Sequence, residues 1–300
     1  MKTNAVSVSC RLVMAAGCVS AAVFGAHLAF AQDSKRAVEE RDESQESANE
    51  RYLADMQTLA DTVQVTIGKG ERRKAVKLIP MPLYRFSDLK RFISDGTVWA
   101  WGFAGRPVMM AEFHTGDRLK PEWGQWLVAT SDMPVAAVIG GHGHWASAET
   151  EFKLLPISDI GAPAKSEAGR LRQMKRFTRS LSASSVWKDQ RFELRLLPTE
   201  VYRYSDMGTG LIDGAVFVFT VDNNPEAILF VEAHQADSGE QSWMYALAQM
   251  SAASLTFRRG DTEVWAVPRS FGNATHYAFT RTVPSRVDTS DVKFPEKTIE

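Results

Sequence analysis

Two short words, Glu112-Phe113-His114 and Glu232-Ala233-His234, each place a carboxylate two residues before an imidazole. On a strand, residues two apart face the same side, so the two groups point together. Such a pair orients a general base or donates two metal ligands. In Gly140-Gly141-His142-Gly143-His144 two further histidines stand between glycines, and with His114 they would make a three-imidazole metal site. The plainer readings are a polar strand end facing water and a glycine-bracketed hairpin tip, and they are preferred. Neither a Gly-x-Ser-x-Gly nucleophile turn nor a phosphate-cradling glycine loop with its lysine occurs. No cofactor is expected.

The elements that must position these words come twice. Tyr84-Arg85-Phe86-Ser87-Asp88 recurs as Tyr202-Arg203-Tyr204-Ser205-Asp206, 118 residues later. At that offset Leu53 meets Leu171, Met56 meets Met174, Pro80 meets Pro198, and Asp95-Gly96 meets Asp213-Gly214. A two-residue insertion near Asp222-Asn223-Asn224 then moves the offset to 120, where Glu112 and His114 meet Glu232 and His234, and Trp145 meets Trp265. His142 and His144 meet Thr262 and Val264, so the three-imidazole site would exist once. A period of this length is the size of a small domain rather than of a solenoid unit. The expectation is a tandem duplication, with repeat domains at 48–160 and 166–271.

Each copy opens with an apolar stripe at helical spacing: Leu53, Met56, Leu59, Ala60 and Val63, then Leu171, Met174, Phe177 and Leu181. About six strands follow, KAVKLIP, GTVWAWGF, PVMMAEFHT, GQWLVATS, PVAAVIG and HWASAE in the first copy. Short turns rich in Gly, Asn and Pro join them, which makes an antiparallel meander. The fold class is α+β, a helix covering one face of an antiparallel sheet, repeated. The tyrosine word reads as a packed corner ending in a Ser-Asp turn, with Arg85 and Arg203 reaching nearby carboxylates. Trp99, Trp101, Trp123, Trp126 and Trp145 read as packing residues, with a sugar-stacking platform as the rival. Residues 272–300 read as an irregular tail.

Residues 1–31 combine Lys2 and Arg11, a long apolar run, and Ala29-Phe30-Ala31 at a cleavage position, the pattern of a secretory signal peptide. Cleavage would leave Gln32 first and a polar, disordered leader over 32–47, with no membrane span remaining. Both cysteines, Cys10 and Cys18, fall inside the signal, so disulfides, thiol catalysis and cysteine-bound zinc are excluded from the mature chain. Removal of Lys2 and Arg11 leaves 33 basic against 36 acidic residues. That balance offers nucleic acid no basic surface.

The words LLPTEVYRYSD, DGAVFVFTVDNNPEAILFVEAH and DGTVWAWGFAGRP resemble a family of uncharacterised exported proteins from planctomycete-type bacteria. The resemblance spans nearly the whole mature chain and implies an extracytoplasmic bacterial protein, while bringing no catalytic residue with it. The expected function is therefore an exported two-domain binding or scaffold protein of the cell envelope or periplasm. Its expected partner is an envelope component or another protein. A hydrolase, metal-assisted in one form, around Glu112 and His114 is the alternative.

Overall fold

The computed structural model describes residues 50–115, 122–139, 143–147, 152–270 and 276–282. The chain divides into Met1–Arg51 and Tyr52–Glu300. The second unit is an α+β arrangement of antiparallel sheets.

The first half opens with α1, residues 50–62, whose Met56, Leu59 and Ala60 are buried as the apolar spacing requires. Eight strands follow: β1 (Val63–Ile67), β2 (Lys74–Leu78), β3 (Tyr84–Asp88), β4 (Ile93–Gly102), β5 (Met109–Thr115), β6 (Glu122–Ala129), β7 (Val135–Ile139) and β8 (Gly143–Ala146). A linker strand, β9 (Leu155–Ile157), leads into α2 (Glu167–Arg179). There the Ser166 hydroxyl accepts the Gly169 amide at 3.1 Å and so caps the helix. The second half continues with β10 (Leu181–Trp187), β11 (Gln190–Glu193), β12 (Arg195–Leu196), β13 (Tyr202–Asp206) and β14 (Leu211–Val221). It closes with β15 (Asn224–Gln235), β16 (Gln241–Gln249), β17 (Ser254–Arg259) and β18 (Thr262–Val267).

The two halves pair their strands in the same way. In the first, β4 lies between β5 and the β2 and β3 segments, β5 pairs β6, and β1 pairs both β2 and β7. In the second, β14 lies between β15 and the β12 and β13 segments, β15 pairs β16, and β10 pairs both β11 and β17. Each large sheet is completed from elsewhere in the chain. Strand β9 adds to β16, and β19 (His276–Thr282) adds to β6. Part of the expected irregular tail is therefore a sheet strand, held by backbone pairing along all seven of its residues.

Three apolar clusters organise the interior. Met56 and Leu59 of α1 pack with Trp99, Trp101, Phe113 and Trp145 on the outer face of the first sheet. Met174 and Phe177 of α2 pack with Phe217, Leu229 and Trp243 on the outer face of the second. The inner faces share a third cluster, in which Val98, Ala100, Met110 and Trp126 meet Val216, Val218, Ile228 and Phe230. Burying such side chains contributes roughly 1.5–3 kcal/mol each. Because of this shared layer, the two expected domains lie within one compact unit.

Three details differ from the sequence expectation. The tyrosine word is itself a strand, β3 or β13, and its Asp ends it by capping a one-turn 3-10 helix through the Arg91 or Gly208 amide. Within it the buried ring is the third residue, Phe86 or Tyr204, while Tyr84 and Tyr202 are only partly covered. That third ring lies over a glycine of the neighbouring strand, where a Cβ on Gly96 would come within 2.4 Å of Phe86 and one on Gly214 within 2.3 Å of Tyr204. Finally, the ladder keeps the 118 offset across β5 and β15, since Gly96 faces His114 while Gly214 faces Glu232. The two extra residues enter at the β15–β16 hairpin, not near Asp222.

Candidate functional site

Even-numbered residues of β5 and β15 face the layer shared by the two sheets, so Glu112 and Glu232 point inward rather than to water, at 4% and 0% exposure. This corrects the expectation of a solvent-facing polar strand end. The carboxylate–imidazole pairing itself is present twice, with His114 Nδ1 2.7 Å from Glu112 Oε1 and His234 Nε2 2.7 Å from Glu232 Oε2. Its surroundings differ sharply between the two halves.

Around Glu232 the site is closed. Arg106, from the loop between β4 and β5, donates to both carboxylate oxygens, Nε to Oε1 at 2.7 Å and Nη2 to Oε2 at 3.0 Å. The Tyr204 hydroxyl donates to Oε1 at 2.7 Å. Burial alone would raise the Glu232 pKa, but the bonds from His234, Arg106 and Tyr204 bring it down to about 2. Burial together with the negative charge of Glu232 pushes the Tyr204 hydroxyl well above its usual range. The Arg106 guanidinium also covers the Phe152 ring at 5.1 Å. Both oxygens of Glu232 are thereby engaged.

Around Glu112 the site is open. Here the residue facing Gly96 across the ladder is His114, not a carboxylate, and the ring over that glycine is Phe86, which has no hydroxyl to donate. Glu112 Oε1 is used by His114, and Oε2 is buried without a partner. A buried acceptor left unpaired costs about 1–3 kcal/mol. The His114 ring lies against the backbone of Gly124, where a Cβ would come within 1.9 Å of Nε2. When Nδ1 donates to Glu112, Nε2 carries the lone pair of a base.

These groups line a cleft of about 1120 Å³ between the halves. One wall is Asp88 and Lys90–Ile93 with Trp126; the other is Trp187, Lys188 and the strand β11; and Asp222, Asn224, Glu226 and Met250–Ala253 form the end. Tyr84 donates to the Asn223 carbonyl at 2.9 Å and Lys90 to Asp222 at 2.8 Å, tying the β14–β15 turn to the first half. Glu226 is fully buried and paired with Arg91. Burial raises its pKa, against the opposing pull of Arg91 and of the nearby Ser251 hydroxyl.

At the mouth stands Phe92, 79% exposed and at φ +61°, in the left-handed region that favours glycine. The slot 118 residues on holds Gly210, at φ +76°. Phe92, Arg91 and Glu226 were not legible as site residues, because their meeting depends on two halves packing face to face. A residue where its counterpart is glycine was the available signal.

His142 lies outside the described residues, as does the side chain of His144. Among the described residues no group of three His, Cys, Asp or Glu side chains is placed to hold a metal ion. Trp99, Trp101 and Trp145 are outer-core residues, while Trp126 reaches across the halves to donate to the Gln249 carbonyl at 3.1 Å. Arg85 pairs with Asp95 and Arg203 with Asp213, as expected of the tyrosine word. No helix among the described residues is long and apolar enough to cross a membrane. No protein-family model, curated protein or solved structure matches the chain.

Proposed function

We propose that the chain is an exported, internally duplicated binding protein of the bacterial cell envelope or periplasm, and that it holds a small polar ligand in the cleft between its halves. The observation that carries this reading is the cleft of about 1120 Å³ between the halves, lined by charged and aromatic side chains of both and by His114, whose ring the buried Glu112 holds. The signal-like N-terminus and the resemblance to exported planctomycete-type proteins support the location. The common strand pairing of the halves supports the duplication. A thermal-shift screen of the mature chain tests the binding reading. At least one small polar compound should raise Tm, and Glu112→Gln should shrink that rise; a library without any stabilising compound contradicts it.

The hydrolase reading is favoured by one observation, a carboxyl of raised pKa sharing a cleft with an oriented imidazole. Glu226 would then protonate a leaving group, while His114 Nε2, with Nδ1 held by Glu112, takes a proton from water. Turnover that survives both Glu226→Gln and His114→Ala rejects it.

A further inference from the structure

Resting on the cleft as the binding site, we infer that its ligand is a neutral oligosaccharide and that Phe92 is the residue on which a sugar ring stacks. The charges of the cleft answer one another: Lys90 pairs with Asp222, Arg91 with Glu226, and Arg191 with Glu193. Its lining holds five acidic and four basic side chains. A strongly charged ligand would meet no matching excess of charge. Hydroxyl groups suit such a balanced site better, because each both donates and accepts and so can meet the carboxylates and the cationic groups of these pairs alike.

The apolar part of the site points to the same ligand. Phe92 holds a bulky ring in a glycine-favouring conformation and exposes it to water at the cleft mouth. The left-handed backbone closes the 3-10 helix after Asp88, as Gly210 closes its counterpart, but that cap needs no side chain, so the exposed ring on it is a mark of function. Trp187 and Phe192 also line the cleft, each with one ring face covered by a guanidinium, of Arg269 at 4.5 Å and of Arg91 at 5.8 Å. A sugar ring combines an apolar C–H face, which such rings cover, with a rim of hydroxyls. The cleft slightly exceeds the usual range for a single small ligand, roughly 300–1,000 Å³, which favours several linked sugars over one.

Calorimetric titration of the mature chain with malto-, cello-, xylo- and chitohexaose, beside spermidine and a Gly-Ser hexapeptide, tests the inference. At least one of the four saccharides should bind saturably, and Phe92→Gly should weaken it by tenfold or more. The glycine suits the backbone there, so the variant's fold is preserved and its melting curve verifies this. Three results would overturn the proposal: no saccharide bound at millimolar concentration, saccharide affinity unchanged in Phe92→Gly, or binding of only spermidine or the peptide. The last, if it still depends on Phe92, leaves the cleft standing as a binding site and rejects the saccharide alone.

Discussion

Arg106 and Glu232, 126 positions apart, are joined by two hydrogen bonds across the layer between the sheets, and the carboxylate they fix is fully buried. The pair seals the Glu232 position, whereas His114, which the ladder sets at the corresponding place of the first half, lines the cleft.

Acid stability follows from this pair. The folded pKa of Glu232, about 2, lies below its usual 4.5. Its contribution is therefore complete above pH 4.5 and lost as pH falls towards 2, and amounts to about 3 kcal/mol. Denaturant titrations across that range should show this loss in the wild type and a flatter profile in Glu232→Gln. Arg106→Met should cost on the order of 3 kcal/mol at neutral pH, since it strands a buried charge. Equal acid profiles for wild type and Glu232→Gln would contradict the assignment.

The tyrosine word gives a second prediction. Phe86→Ala should destabilise by about 3–5 kcal/mol and Tyr84→Ala by clearly less, because only the third ring is fully packed, over Gly96. Tyr204→Phe should cost about 1.5–3 kcal/mol through the lost bond to Glu232. Urea midpoints check all three, and a larger loss from Tyr84→Ala would reverse the ranking.

The two helices, the antiparallel meander and the paired Glu-x-His words were legible because hydrophobic spacing and turn chemistry are local. The β3 strand was missed because Ser87-Asp88 reads as a turn, yet Asp88 serves as the cap that ends the strand. The insertion was misplaced because Glu112-His114 and Glu232-His234 match as letters, while the ladder sets His114 in the place of Glu232. The cleft was invisible: Phe92, Glu226 and Trp187 lie far apart in the chain and meet only through sheet-on-sheet packing.

Phe92→Gly should change stability by no more than about 1 kcal/mol, as relief of the left-handed strain offsets the flexibility glycine adds to the unfolded chain. Phe92→Val, β-branched in that conformation, should be clearly less stable than Phe92→Gly. Thermal melts compare them, and a collapse of Phe92→Gly would assign the ring a packing role instead.

Export predicts that protein recovered from its native cells begins at or near Gln32. N-terminal sequencing reads this directly. An intact leader, or a lipid on Cys18, would contradict the proposed address.

The most direct measurement is amide hydrogen exchange on the mature chain with and without a compound that raises its Tm. Binding in the cleft predicts slowed exchange at residues 88–93 and 187–193, with the Arg106–Glu232 region unchanged. Protection confined to the smaller cavity of about 370 Å³ beside Lys175 and Leu181, with 88–93 unaffected, would contradict the account.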